Sequence, residues 1–240
     1  MTELLEREME MVSSTLAEDL LGRMDETIEG LWATARGGAF WKGVVEGEHM
    51  SRDLYRVLMV QVYHYTRHNS TNQAVAAFKA DPGEIGLLRF VYGHADEELG
   101  HEMMVLHDLR AIGLLGRDEP ITDVPLPATE ALINYLYGVA LREGPVARLG
   151  YSYWAESVYG HIAPVLLQAR RSLQLTDDEM AFFVAHSEID AKHAAAVAEM
   201  IRRWVRTPEQ AQAVLQVLRT TLWLTLGLIE QAYDFWLATQ

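Results

Sequence analysis

The chain contains no cysteine. That absence removes disulfides, thiolate ligands, iron–sulfur clusters and cysteine nucleophiles, so any metal site must be built from His, Asp and Glu. Basic residues are also few, 20 Lys and Arg against 34 Asp and Glu, a formal net charge of −14. Binding to nucleic acid needs clustered cations against phosphate, and an anionic membrane surface makes the same demand. Neither partner is expected, and the acidic excess reads as a solvated face. Long apolar runs are missing as well. Stretches such as Thr220 to Ile229 fall short of the roughly 20 residues that span a bilayer. The opening residues, MTELLEREMEMV, lack the basic-then-apolar order of a signal peptide. The expected location is the cytoplasm.

What is present is apolar and helical. Half of the 240 residues are hydrophobic, enough to bury a core. Apolar residues recur at three and four through most of the chain, and no Asn-Gly or Asp-Gly hairpin turn separates alternating runs. Gly37-Gly38 interrupts the first helical region, and Ser51 reads as the N-cap of the next helix, through Tyr63. Asp81-Pro82-Gly83 is a turn before a helix through His101 and Leu109. Gly113 to Thr129 holds Pro120, Pro125 and Pro127 and reads as a loop, with Thr129 opening a helix that Arg142-Glu143-Gly144-Pro145 stops. A further helix carries Trp154 and Glu156. Thr176 with Glu179, and Thr207 with Gln210 and Pro208, read as helix starts. About seven long helices and no strand are expected, in one helical domain over residues 1–240. No repeat or linker divides the chain.

Three segments place His and acids at helical spacing. In the segment from His186 to His193, His186, Asp190 and His193 stand at i, i+4 and i+7, on one stripe about 40° wide. Phe182, Phe183, Ala185, Ile189 and Val197 crowd the same helix, so a plain solvent face is a poor reading of that stripe. Buried charge is costly unless paired or metal-bound. A hydrogen-bonded structural network is the alternative. In the segment from Tyr92 to His101, His94 and His101 share a face that Glu97 and Glu98 straddle. Glu98-x-x-His101 has the spacing by which helical di-iron proteins present a carboxylate with an imidazole, and Asp190-x-x-His193 repeats it. One such pair arises often by chance, whereas two on different helices are a stronger signal. Glu156 stands among Tyr151, Tyr153, Trp154, Val158 and Tyr159. A metal, or an arginine such as Arg142, Arg148 or Arg170, would stabilise its charge. His64, four residues before His68, is either a nitrogen ligand, a donor to a ligand, or a hydrogen-bonded core histidine. Imidazole and carboxylate without sulfur suit iron or manganese acting on O2 better than hydrolytic zinc.

At these residues the chain resembles the haem-oxygenase-like di-iron oxidases and oxygenases, in their iron-containing redox enzyme branch. The most specific part is His186-x-x-x-Asp190-x-x-His193, preceded by Glu156 and, earlier, His101. The segments Gln61–His68 and Glu97-Glu98-Leu-Gly-His101 with Asp108-Leu109 also fit. The resemblance runs from about Glu26 to the end. It implies an all-α, seven-helix haem-oxygenase-like bundle without haem. Two irons, cycling between Fe(II) and Fe(III), would be held by His101, Glu156, His186, Asp190 and His193 plus a further residue of the helix of His101. Many members have a glutamate where His94 stands, so that last position stays open among Glu98, Glu97 and His94. The resemblance implies O2 as co-substrate and a small metabolite such as an amine or amino-acid derivative as substrate. The implied reactions are N-oxygenation or oxidative C–C or C–N cleavage in a biosynthetic pathway. A homodimer and an external electron donor go with this reading.

The polarity of such a metabolite makes a small polar substrate the expectation. Tyr63, Tyr92, Met103, Met104, Tyr153 and Trp154 are expected around the pocket, with Tyr153 also beside the site. Thiaminase II, of the same superfold, needs a cysteine that the chain lacks. A cofactorless enzyme resembling pyrroloquinoline-quinone synthase, or a non-enzymatic binding protein, are the alternative readings. A classical haem oxygenase would need a proximal His near the N-terminus, where the first His is His49.

Overall fold

A computed structural model gives the backbone of residues 2–240 and the side chains of residues 15–187 and 193–240. The described residues form ten α-helices and no strand: α1 Thr2–Ala35, α2 Ala39–Trp41, α3 Arg52–Ala76, α4 Ile85–Glu97, α5 His101–Ala111, α6 Pro127–Arg142, α7 Pro145–Ala155, α8 Tyr159–Leu173, α9 Ala181–Trp204 and α10 Pro208–Leu237. A π-helical turn, Lys42–Glu46, follows α2 directly. The count is ten rather than the expected seven because two rods are broken and the three-residue α2 is added. The helix expected to run through His101 stops at Glu97 and restarts at His101, and the helix expected to carry Glu156 stops at Ala155. Joining each broken pair, and setting aside the three residues of α2, gives the seven rods.

The helix ends follow local chemistry. The Ser51 hydroxyl accepts the Leu54 N–H at 3.1 Å and opens α3. Thr207 and Gln210 form a reciprocal capping box with Pro208 in the first turn of α10, an arrangement that satisfies otherwise orphaned N–H groups. Thr176 and Glu179 make the expected reciprocal bonds, yet the chain there enters a 3₁₀ turn, Asp178–Met180, before α9. Helix α6 begins at Pro127 rather than Thr129, since proline at the first helical position loses no needed donor.

Two apolar cores flank the site. One gathers Leu20, Met24, Trp32, Leu136, Tyr151, Trp154, Val197, Leu218 and Leu222. The other gathers Phe40, Met50, Leu54, Met59, Val105, Leu109, Met180 and Phe182. Helix α10 binds the first core together through contacts with α1, α3, α6 and α7. It approaches α7 so closely that a Cβ at Gly150 would overlap the Val214 carbonyl of α10. By length and composition α10 is apolar enough to cross a membrane, which corrects the expectation that no segment reaches that length. The short apolar runs join into one such helix because its Thr and Gln residues and its few charges, Glu209, Arg219, Glu230 and Asp234, are too scattered to bring its mean hydropathy down. In this fold it packs within the bundle.

Candidate metal centre

Six donor residues converge where the two rods break. Helix α4 ends at the Glu98 C-cap, and Gly100 then takes φ 89°, a conformation glycine adopts without a Cβ penalty. The reversal carries Glu98 and His101 to the same point from two separate helices. Helix α7 ends likewise at Glu156, whose N–H bonds the Ser152 carbonyl at 3.0 Å. The Ser157 hydroxyl donates to the Trp154 carbonyl, and the Trp154 indole N–H reaches Thr221 of α10 at 2.8 Å. These bonds anchor the break. Helix α9 supplies His186 and His193 from opposite ends of two turns.

The donors sort into two triads. In the first, Glu98, His101 and His186 bring their ligand atoms within 4.8 Å of one another. His186 Nδ1 donates to the Phe182 carbonyl at 2.6 Å, which leaves Nε2 as the inward lone pair. That Nε2 lies 3.1 Å from His101 Nδ1, which also faces Glu98 Oε2 at 3.5 Å. Asn69 Nδ2 donates to the same Glu98 oxygen at 3.2 Å. In the second triad, His94, Glu156 and His193 converge to the same degree. Glu156 offers one oxygen to each imidazole, Oε1 at 3.0 Å from His94 Nε2 and Oε2 at 3.3 Å from His193 Nδ1. Glu98 spans the two, its Oε1 lying 4.0 Å from His94 Nε2. Both carboxylates are 8 % exposed.

Burial would push the Glu98 carboxyl up, but the His101 hydrogen bond and the fields of His94, His101 and His186 take it down to about 2. The His101 imidazole is raised, chiefly by its bond to Glu98. Burial lowers His186. Glu98 is therefore a carboxylate at neutral pH.

The residues present fit iron. Two buried carboxylates and four imidazoles, with no sulfur, make an oxygen and nitrogen donor set. His94 Nδ1 is buried without a hydrogen-bond partner, and buried polar atoms rarely stay so without a ligand or water. Of the arginines weighed as partners for Glu156, Arg148 is the buried one. Its hydrogen bonds go to Asn72, Gln73 and Ser152, not to Glu156. Burial lowers its guanidinium to about 10, against the opposing fields of Tyr151, Glu98 and Glu156.

The expected site residues are placed as follows. His101, Glu156, His186, His193, Glu98 and His94 come together. Asp190 falls outside the described side chains. Glu97 reaches His193 Nε2 at 3.4 Å but is 59 % exposed, at the outer edge. His64 is not brought to the site: its Nε2–H donates to the Asp123 carbonyl at 2.8 Å and ties α3 to the loop before α6. Tyr153 also points elsewhere, its hydroxyl donating to Asp25 of α1 at 2.8 Å, because it sits one residue off the inward face that carries Tyr151 and Trp154.

A cavity of about 190 Å³ reaches the centre at Glu98, Glu156 and His186. Its walls are mainly apolar, which departs from the small polar substrate expected. Of the side chains expected to line it only Trp154 does so, while Tyr92 and Met103 lie on the surface. Tyr65 lines it instead, and burial raises its phenol to about 12. A second cavity, of about 220 Å³, opens on His94, Glu97 and His193 beside Arg89. Sequence reasoning missed Asn69, and it named Asp108 and Arg148 without the roles the structure gives them. The available signal was a polar residue inside an apolar helix face, as Asp108 stands among Val105, Leu109 and Ile112. Its carboxylate, wholly buried, accepts the N–H groups of Ala181 and Phe182 at 3.0 Å and caps α9 from α5.

Residues 56–226 match the iron-containing redox enzyme family. A haem-oxygenase-like domain of unknown function from Shewanella denitrificans is 40 % identical over 92 % of this chain and 94 % of its own, with a TM-score of 0.86. A TenA homologue from Pyrococcus furiosus is 13 % identical over 89 % of this chain and all of its own, at TM-score 0.70. A CADD-like protein from Nostoc punctiforme is 15 % identical over 94 % of this chain and 98 % of its own, at TM-score 0.59. No protein of curated function matches in sequence. With the match spanning most of the chain, this protein belongs to the iron-containing redox enzyme family and has the haem-oxygenase-like fold.

Proposed function

We propose that this chain is a non-haem, di-iron oxidase or oxygenase that uses O2 on a small amine or amine-containing metabolite, by N-oxygenation or by oxidative C–C or C–N cleavage. The observation that carries this reading is the pair of His–carboxylate triads, joined through Glu98, at a mainly apolar cavity. One iron would be held by Glu98, His101 and His186, the other by His94, Glu156 and His193, with Asp190 as a further donor. Bound iron supplies the electron transfer to O2 that side chains lack. The protein's own part is legible in its residues. His186 presents a fixed lone pair, Asn69 orients Glu98, and the apolar wall excludes water from the reacting centre. A homodimer, an external electron donor and a cytoplasmic setting complete the proposal.

Anaerobic loading with Fe(II) followed by mixing with O2 tests it. The expected result is uptake approaching two irons per chain and a transient visible absorption band. No iron uptake, with His186→Ala and His193→Ala behaving as the parent protein, would refute it.

A further inference from the structure

The cavity has a charge pattern that the metal centre does not explain. Among its described lining residues there is no Lys or Arg, and the carboxylates are Glu98, Glu156 and Glu230. The first two belong to the triads. Glu230 belongs to neither. It is carried by α10, directly after the run Thr220 to Ile229, which holds no charged residue. Glu230 Oε2 accepts the Phe40 N–H at 3.1 Å. Its other oxygen packs against Gly38 so closely that a Cβ there would overlap it. The carboxylate is thus pinned at the start of α2, half-buried, with no ion pair to any described cation. Arg36 turns its guanidinium to His161 Nδ1 at 3.3 Å and over the Trp41 ring, and does not line the cavity. Trp32, Phe40 and Trp41 line the same space.

We infer that Glu230 is a specificity-determining residue that binds an organic ammonium group, so that the cavity takes a monocationic molecule with an apolar body. This rests on the reading that the cavity is the substrate pocket of the metal centre. A half-buried carboxylate without a cationic partner attracts a cation, aromatic faces add to the attraction, and the apolar wall accepts the hydrophobic remainder. A substrate carboxylate distant from the metals would meet no described cation and would face Glu230. Fatty acids and zwitterionic amino acids are disfavoured on that account.

The test is anaerobic titration of the full chain, iron-free and iron-loaded, with n-octylammonium, 1-octanol and octanoate, followed by tryptophan fluorescence. Octylammonium should bind about tenfold more tightly than octanol in both forms, a difference of about 1.4 kcal/mol, and octanoate most weakly in the iron-free form. Glu230→Gln keeps an acceptor for the Phe40 N–H. It should remove that advantage while octanol affinity and iron uptake stay unchanged. Glu230→Lys should invert the ranking of ammonium and carboxylate. Octanoate binding tightest in iron-free protein, equal loss of all three probes in Glu230→Gln, or binding of none would overturn the inference. Glu230-dependent ammonium binding in a chain that takes up no iron would instead overturn the di-iron reading alone.

Discussion

His186 and His193 stand seven residues apart on one helix, yet the protein treats them differently. His186 is fixed through its Nδ1 on the Phe182 carbonyl, packs at 4.3 Å on the Phe182 ring and faces the apolar cavity. His193 has a carboxylate at each nitrogen, buried Glu156 on one side and exposed Glu97 on the other, and borders the second cavity. Its triad partner His94 keeps one buried nitrogen unpaired. The Glu98 triad is thus oriented by fixed hydrogen bonds, Asn69 donating to Glu98 and His186 to the Phe182 carbonyl, and the Glu156 triad, though no less buried, is less constrained. Ligands oriented by a second layer of hydrogen bonds bind metal more tightly. The comparison teaches that two chemically similar triads need not be equivalent, and it assigns the tighter iron to Glu98, His101 and His186.

The largest effect follows from deleting one ligand of each triad. His186→Ala should lower iron affinity at the Glu98 triad by on the order of a hundredfold or more and abolish O2 consumption. His193→Ala should retain about one iron per chain after anaerobic desalting. Iron content per chain is the measurement. Equal losses from the two variants would break the proposed asymmetry.

Much of the centre was legible because ligands on one helix announce themselves by spacing. His186 and His193 are such a case, and so are His94 and Glu98. The joining of the triads was not, because it depends on where rods break. Leu99-Gly100 carried a stop signal that the apolar periodicity on both sides overrode, and only the positive φ of Gly100 shows that Glu98 and His101 arrive from different helices. At Glu156 no proline or glycine precedes the break. Ser157 bonds the Trp154 carbonyl through both its N–H and its hydroxyl, and the Trp154 indole is held on Thr221 of α10, a tertiary contact invisible to local pattern. His64 and Tyr153 show the converse. Each has the right residue type near the right segment, but a loop carbonyl and an acid on α1 claim them. The seven-rod bundle was readable because caps and prolines mark most of its other ends.

A smaller effect should come from Asp108, which holds α5 and α9 in register and so sets His101 against His186. Asp108→Ala leaves two N–H groups at the start of α9 without acceptors. The expected cost is about 1–3 kcal/mol, read as a lowered Tm, and Asp108→Asn should recover part of it. Asp108→Ala should also weaken the iron of the Glu98 triad and spare that of the Glu156 triad. A loss confined to the Glu156 triad would reverse the assignment.

The smallest expected effect separates the triads from their surroundings. His64 and His68 lie outside both, and burial lowers each imidazole, with Arg67 adding to the effect. A base whose folded value lies below its unfolded one stays neutral in the fold while the unfolded chain takes up a proton. Their contribution is therefore constant above the ordinary value of about 6.5 and is lost as pH falls through it toward the lowered folded values. His101 is raised and works in the opposite sense, stabilising the iron-free fold as pH falls. Thermal unfolding of iron-free protein should weaken below about pH 6.5, and His64→Gln with His68→Asn should flatten that slope. A slope unchanged by the double substitution would move the acid sensitivity to the other lowered imidazoles, His161 outside the triads and His186 within them. Iron loading would then abolish only the share carried by His186.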